Sequence, residues 1–176
     1  PKDTKALNFQ SDHAGVKLKT VKATIDVNRE QRTRLIDKAR RFFPTFRDVR
    51  VAIIGLTFKP GTDDLREAPA KQNIDILLNE GADIIAWDPL GVENFRKRYP
   101  NCAINFAKDI DEALTDADVC LIMTEWEKIV EYPLDNYKKY MKRPLVFDGR
   151  NCYKLSEAEK HEIFYDSIGR KIVDTL

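Results

Sequence analysis

From residue 50 onward, short apolar runs alternate with longer segments in which apolar residues recur every three or four positions. Short apolar runs are typical of strands buried on both faces, and the longer spacing is typical of amphipathic helices. The predicted strands are Val51 to Gly55, Asp83 to Asp88, Ala103 to Phe106, Asp118 to Thr124, Leu145 to Asp148 and Ile163 to Tyr165. The predicted helices are Ala68 to Glu80, Val92 to Tyr99, Ile110 to Thr115 and Leu134 to Tyr140. This alternation predicts an α/β fold, a Rossmann-like parallel sheet with helices on both faces.

The first 45 residues have a different pattern. Apolar residues at helical spacing run from Leu18 to Phe43, and Pro44 follows, which predicts one long helix before the sheet. The middle of this helix, residues 28–34, is wholly polar. That stretch is either a solvated face or a polar contact with another subunit or domain, and both interpretations stay open. We expect a domain boundary between residues 46 and 47.

Composition excludes several classes of partner. The chain has 30 Lys and Arg against 29 Asp and Glu, a formal charge of +1, so no overall field favours nucleic acid or a membrane surface. We find no apolar run of about 18 residues and no signal-peptide pattern. The three cysteines are odd in number and lack C-x-x-C spacing, which favours free thiols in a reducing compartment, the cytoplasm. His13 and His161 have no paired ligand spacing, so no metal site is predicted.

Charged and aromatic residues follow several of the predicted strands. In open parallel sheets, ligands bind beyond the carboxyl ends of the strands, where loops and helix N-termini meet. The residues at those ends are Phe58, Lys59, Asp88, Thr124, Glu125, Asp148 and Arg150. Cations at that edge favour an anionic ligand. Asp88 either faces such a ligand or caps the helix after Pro89.

The turn after the first strand does not match a dinucleotide cradle. A G-x-G-x-x-G loop from Gly55 would need glycines where Thr57 and Pro60 stand, and proline offers no backbone N–H to a pyrophosphate. Lys59 and Arg66 remain as cations for a phosphate or carboxylate, or as ion-pair partners of the acids nearby. Arg150 is likewise either a ligand contact or a surface residue.

Several motifs resemble one protein family in order along the whole chain. They are PKDTKAL at 1–7, VNREQ at 27–31, GLTFKPGTDDLREAP at 55–69, DP at 88–89, TEW at 124–126, FDGRN at 147–151 and YDSIGR at 165–170. Together they resemble the C-terminal part of the UDP-glucose/GDP-mannose dehydrogenases. TEW, DGRN and YDSIGR favour the UDP-glucose branch over the GDP-mannose and UDP-N-acetylmannosamine branches.

The resemblance implies an oxidoreductase that converts UDP-glucose to UDP-glucuronate in two NAD-dependent steps, through a thiol-bound intermediate. In such enzymes an N-terminal Rossmann domain holds NAD, and a helical middle domain forms a homodimer. By matching position, the substrate-binding residues are Phe58, Lys59 and Arg150, the cofactor-binding residues are Lys2 and Arg66, and the catalytic residue is Asp3.

The resemblance also implies that the chain is a piece of a longer enzyme. The family's catalytic cysteine would stand two residues before Pro1, and Cys102, Cys120 and Cys152 lie in other contexts. We therefore expect residues 1–46 to be the end of the middle domain with its linking helix, and residues 47–176 to bind UDP-sugar, without turnover by this chain alone. The alternative is a stand-alone, non-catalytic nucleotide-binding or oligomerisation module.

Overall fold

A computed structural model describes residues 2–175 of the chain. Its strands are β1 Arg50–Ile54, β2 Asp83–Trp87, β3 Asn105–Phe106, β4 Val119–Ile122, β5 Leu145–Asp148 and β6 Phe164–Ser167. Its helices are α1 Lys2–His13, α2 Lys19–Gln31, α3 Arg34–Ala39, α4 Pro69–Asn79, α5 Gly91–Arg98, α6 Ile110–Leu114, α7 Glu127–Val130, α8 Asp135–Tyr140 and α9 Leu155–Lys160. All six predicted strands and the four helices predicted between them are present, with ends that differ by a few residues.

The six strands form one parallel sheet in the order β3-β2-β1-β4-β5-β6. The chain moves outward from β1 to β3, then crosses over and continues from β4 to β6 on the other side. The order therefore reverses between β1 and β4, where Ile54 lies opposite Ile122. Crevices at such reversals, beyond the carboxyl ends of the strands, are the usual ligand sites of open parallel sheets.

Apolar cores cover both faces of the sheet, as the sequence predicts. One core joins the first face to α3, α4 and α5, with Leu35, Ile74 and Phe95 fully or nearly fully buried. The other joins the opposite face to α6 through α9, around Tyr137 and Ala158. Because β1 and β4 are buried on both faces, their side chains form the uninterrupted apolar runs seen in the sequence.

The long helix predicted from Leu18 to Phe43 is wrong as a single element. Two helices stand there, α2 and α3, with a turn at Arg32 and Thr33, and α3 ends at Ala39. At the turn, the carbonyl oxygen of Arg32 accepts a hydrogen bond of 2.7 Å from Asn73 Nδ2 of α4. A partner 41 residues away therefore takes the carbonyl that a continuous helix would use, and helical spacing alone does not reveal it.

The helices before the sheet are attached to it in two different ways. Helix α3 buries Leu35, Ile36 and Ala39 in the core of the sheet. Helix α1 buries only Ser11, and α2 buries no residue. Because little apolar surface holds α1 and α2, their placement depends mainly on polar contacts. The boundary between residues 46 and 47 stays a prediction.

The sequence did not predict α1, α7 or α9. Helix α1 lacks a buried apolar stripe, since Leu7 is 46% exposed and Phe9 is 63% exposed. Helices α7 and α9 are only four and six residues long, too short for periodicity to be visible. Within residues 2–175, no helix combines the length and the apolar character needed to span a membrane.

Candidate functional site

A cavity of about 280 Å³ opens beyond the carboxyl ends of β1, β4 and β5. We call it the Arg150 cavity. Its lining residues are Asn28, Gln31, Arg32, Leu35, Phe58, Glu67, Pro69, Met123, Gly149, Arg150 and Ile168. Two predicted substrate residues, Phe58 and Arg150, therefore face a common hollow at the predicted edge. Part of the polar stretch at residues 28–34 also lines this cavity.

A buried carboxylate fixes the loop that carries Arg150. Asp148 is fully buried at the end of β5, and its Oδ1 accepts the backbone N–H of Arg150 at 2.6 Å. Its Oδ2 accepts the N–H of Cys152 at 2.7 Å and the hydroxyl of Tyr165 at 2.6 Å. Asn151 has a φ of 60°, a left-handed conformation that asparagine adopts more readily than most residues. The FDGRN motif is thus a rigid turn that presents Arg150.

Hydrogen bonds from Nε and Nη2 orient the Arg150 guanidinium. Nε donates to the carbonyl oxygen of Met123 at 2.8 Å, and Nη2 donates to that of Phe58 at 3.3 Å. Glu125 Oε2 lies 3.2 Å from the same Nε. An arginine has five N–H donors, and three of those of Arg150 make no hydrogen bond among residues 2–175. Arg150 is therefore oriented by the protein while it keeps donors available for an anion.

The YDSIGR motif supports this loop from behind. Arg170 donates to Tyr165 Oη at 2.8 Å, to the Tyr153 carbonyl oxygen at 2.9 Å and to Ser167 Oγ at 2.8 Å. Tyr165 in turn donates to Asp148, and burial raises the pKa of Tyr165 above its usual range. Although Arg170 is part of the motif, its guanidinium is engaged with the protein behind the Arg150 loop.

Asp88 joins three loops of the sheet edge. Its side chain is 4% exposed and accepts six hydrogen bonds of 2.6 to 3.2 Å. The donors are the N–H groups of Leu56, Thr57, Leu90 and Gly91, the hydroxyl of Thr57 and the indole N–H of Trp126. Asp88 accepts the N–H groups of Leu90 and Gly91 at the start of the helix after Pro89, although Leu90 and not Asp88 stands at the N-cap position. Trp126 belongs to TEW, so this motif also holds the loops together.

A second cavity of about 630 Å³ lies beside the first. We call it the Arg66 cavity. Its lining residues are Lys2, Asp3, Lys5, Phe58, Asp64, Leu65, Arg66, Glu67, Arg98 and Tyr99. The two predicted cofactor residues and the predicted catalytic residue therefore line one cavity, although two of the three come from α1. Phe58 and Glu67 lie in the walls of both cavities.

Arg66 and Lys59 differ in how they are held. Arg66 forms a fork with Asp64, with Nε 3.0 Å from Oδ1 and Nη2 2.8 Å from Oδ2. This guanidinium lowers the pKa of the half-buried Asp64 carboxyl to about 2. Lys59 is exposed beside Phe58, and within residues 2–175 its ammonium has no ion-pair partner and lies in the wall of neither cavity.

Glu67 is the main residue of the site that the sequence analysis missed. Lys5 Nζ lies 2.8 Å from Oε1, and the Arg32 guanidinium pairs with Oε2. The partners come from α1 and from the turn between α2 and α3, so sequence proximity gives no sign of them. The wholly polar middle of the predicted long helix was the only available signal for Arg32.

We expect the Glu67 ion pairs to make the chain sensitive to acid. Hydrogen bonds from Lys5 and then Arg32 lower the pKa of Glu67 from 4.5 to about 2. The pairs therefore contribute their full stability above about pH 4.5 and lose it as the pH falls through about 2. In thermal unfolding from pH 6 to pH 2, the Tm difference between the natural chain and Glu67→Gln should be constant at first and then shrink. A difference that grows toward pH 2 would contradict this assignment.

The residues of the sheet edge do not fit a complete NAD site. Pro60 stands where a dinucleotide loop needs a glycine N–H. The carboxylate of Asp88, just after β2, already accepts six hydrogen bonds from other groups of the protein. A carboxylate at that strand end usually binds the ribose in Rossmann folds. Lys2 and Arg66 line one cavity and offer cations to part of such a cofactor at most.

The other groups considered for chemistry are occupied or inert. Cys120 is buried, Cys102 and Cys152 are half-buried, and burial raises the pKa of all three thiols. His161 Nδ1 lies 2.7 Å from Asp135 Oδ1. Among the described residues, no group of His, Cys, Asp or Glu is arranged to hold a metal ion.

Comparisons with known proteins agree with this geometry. Residues 52–155 match the model of the UDP-glucose/GDP-mannose dehydrogenase family, UDP binding domain. UDP-glucose 6-dehydrogenase YwqF of Bacillus subtilis is 39% identical over 98% of this chain, which spans 39% of that protein. UDP-glucose 6-dehydrogenase of Rhizobium meliloti is 37% identical over 97% of this chain and 39% of its own length. The structure of a UDP-glucose dehydrogenase from Pyrobaculum islandicum superposes with a TM-score of 0.79 at 25% identity, over 94% of this chain and 36% of that one.

Proposed function

Because the chain belongs to the UDP-glucose/GDP-mannose dehydrogenase family, we propose that it supplies the UDP-sugar half of a UDP-glucose 6-dehydrogenase active site. The reaction is the NAD-dependent oxidation of UDP-glucose to UDP-glucuronate. The chain spans about 39% of the length of the curated relatives, so the rest of the activity depends on residues outside this sequence. In this proposal, residues 47–176 bind the UDP-sugar and residues 1–46 are the end of the middle domain.

One observation carries the proposal. Arg150, from the loop after β5, lines a cavity together with Phe58, and three of its five N–H donors make no hydrogen bond within residues 2–175. A guanidinium beside an exposed aromatic ring suits a ligand that has both a charged group and a flat or apolar face. A UDP-sugar meets that description through its diphosphate, its base and its sugar ring. Lys59, which lies in the wall of neither cavity, is proposed as a further mobile cation that reaches the same ligand from the exposed turn after β1.

In this proposal, the residues of this chain form one side of the ligand-binding cleft. A cavity of about 280 Å³ is below the range of about 300 to 1,000 Å³ usual for a ligand site, so further walls are needed to enclose a nucleotide sugar. NAD, when bound, accepts the hydride from the sugar. The residues of this chain contribute orientation: Arg150 and Phe58 hold the sugar end, Lys2 and Arg66 face the cofactor, and Asp3 lies beside them to assist the nucleophile and a water.

The proposal is tested by titrating the 176-residue chain with UDP, UDP-glucose and NAD in separate thermal unfolding experiments. At about 10 mM UDP and a Kd of about 1 mM, ligand linkage adds about 1.4 kcal/mol, which raises Tm by about 4 °C for a chain of this size. NAD should cause no shift because the dinucleotide cradle is absent. A shift with NAD but not with UDP would overturn the assignment.

The alternative function makes a different prediction in the same experiment. A non-catalytic oligomerisation module would form a stable dimer whose Tm does not respond to UDP or UDP-glucose. Partly exposed apolar residues on α1 and α2, such as Phe9 and Val27, are the surface such a dimer would use. Sedimentation analysis with and without UDP separates the two functions. The proposal also places the enzyme in the cytoplasm as a homodimer, with no metal and no nucleic acid partner.

A further inference from the structure

Glu67 lies in an unusual backbone conformation at the junction of the two cavities. It precedes α4, and its φ of 63° is in the left-handed region that residues with a side chain rarely adopt. Strained backbone in a ligand-binding cleft persists when surrounding contacts enforce it, and it is often part of how a site works. The carboxylate of Glu67 forms two ion pairs beside this strained backbone.

The two cations that pair with Glu67 line different cavities. Lys5 is a residue of α1 and lines the Arg66 cavity, whereas Arg32 lies at the turn after α2 and lines the Arg150 cavity. Each pairs with its own carboxylate oxygen of Glu67. Glu67 lines both cavities, so one side chain connects the element that forms each wall to the sheet domain.

Apolar packing does not fix α1 or α2. Among the residues of α1 and α2 only Ser11 is buried, while α4, which follows Glu67, buries four residues. The orientation of α1 therefore depends on polar contacts such as that between Lys5 and Glu67. Charge also explains why both cations are present. A lone carboxylate between two anion-binding cavities would repel both ligands, and two cations give the cluster a net positive charge.

We propose that Glu67 is a positioning residue that couples the two half-sites. Through Lys5 it holds Lys2 and Asp3 of α1 at the Arg66 cavity, and through Arg32 it holds the polar wall of the Arg150 cavity. The inference rests on the proposed function for the identity of the ligands. The contacts of Glu67 with α1 and with Arg32 lie within this chain, so they do not depend on which ligand binds.

The test uses Glu67→Gln, which keeps the shape of the side chain and removes its charge. Amide hydrogen exchange in α1 and at the turn after α2 should speed up about fivefold or more, while β1, β4 and β5 keep their protection. In calorimetric titration, UDP should bind about fivefold more weakly because Arg32 loses its orientation. The matched control is Asp75→Asn, which removes the Lys71 ion pair on α4 outside both cavities and should change neither result.

A charge-reversed pair of substitutions tests the Lys5 contact and the Arg32 contact of Glu67 separately. The combination of Lys5→Glu with Glu67→Lys restores an ion pair between α1 and the segment before α4. In the same double variant, the positive charge at position 67 repels Arg32. Protection of α1 should therefore recover while UDP affinity stays low. Unchanged exchange of α1 in Glu67→Gln, or tighter UDP binding by that variant, would overturn the inference. If the natural chain does not bind UDP at all, the proposed function fails, and the exchange data still decide whether Glu67 holds α1.

Discussion

Replacement of Arg150 by alanine should lower kcat/KM for UDP-glucose about 30- to 900-fold in a longer dehydrogenase that contains this chain. That range equals about 2 to 4 kcal/mol of transition-state stabilisation, the usual loss when one oriented charged donor is removed from an active site. The structure gives the physical reason. Asp148 fixes the loop, Met123 and Phe58 hold the guanidinium, and three N–H donors stay unpaired among the described residues.

Two further variants show whether charge or shape is responsible. Arg150→Lys keeps the positive charge but loses the planar fork, so it should recover only part of the loss. Arg96→Ala removes an exposed arginine that pairs with Glu93 on α5, and its kcat/KM should stay within twofold of the natural value. Steady-state kinetics with NAD at saturation measures all three. A value for Arg150→Ala near that of the unaltered enzyme would remove this residue from the site.

Replacement of Asp88 by alanine should destabilise the chain by about 3 to 5 kcal/mol. Six donors surround this buried carboxylate, and each buried donor left without an acceptor costs about 1 to 3 kcal/mol before the loops adjust or water enters. For a chain of this size the loss lowers Tm by roughly 6 to 20 °C. Urea unfolding followed by tryptophan fluorescence measures it, since Trp126 donates to Asp88 directly.

Asp109 provides the matched control for Asp88. It stands at the N-cap of α6, where its carboxylate accepts the N–H of Glu112 at 2.8 Å, but it is exposed. Its replacement by alanine should cost about 1 kcal/mol, the usual value for an N-cap. If the two variants lose similar stability, Asp88 is an ordinary cap and does not tie the loops of the sheet edge together.

The sheet could be predicted because burial on both faces leaves a direct trace in the sequence. Runs such as Val51 to Ile54 are apolar at every position, which fits only a covered parallel strand or a buried helix, and their length separates the two. The break at Arg32 could not be predicted in this way. It depends on Asn73 and Glu67, which are 41 and 35 residues distant, and periodicity reports only local geometry.

The site was predictable to the extent that it follows from strand ends. Phe58 and Arg150 line one cavity because β1 and β5 end at the same edge of the sheet. The identification of Lys2 and Asp3 depended on resemblance, because they belong to a helix whose position no pattern indicates. The sequence indicates Glu67 only as one of the acids near Lys59 and Arg66. Its actual partners, Lys5 and Arg32, become its neighbours only after the chain has folded.

The scarcity of buried side chains on α1 has a consequence for solution conditions. Ions in solution screen contacts between exposed charges, and at 1 M salt the screening length is about 3 Å, compared with about 10 Å at 0.1 M. Contacts such as that between Lys5 and Glu67 are subject to this screening, whereas Asp148 and its partners lie inside the domain. High ionic strength should therefore loosen the wall that carries Lys2 and Asp3 while the Arg150 loop keeps its shape.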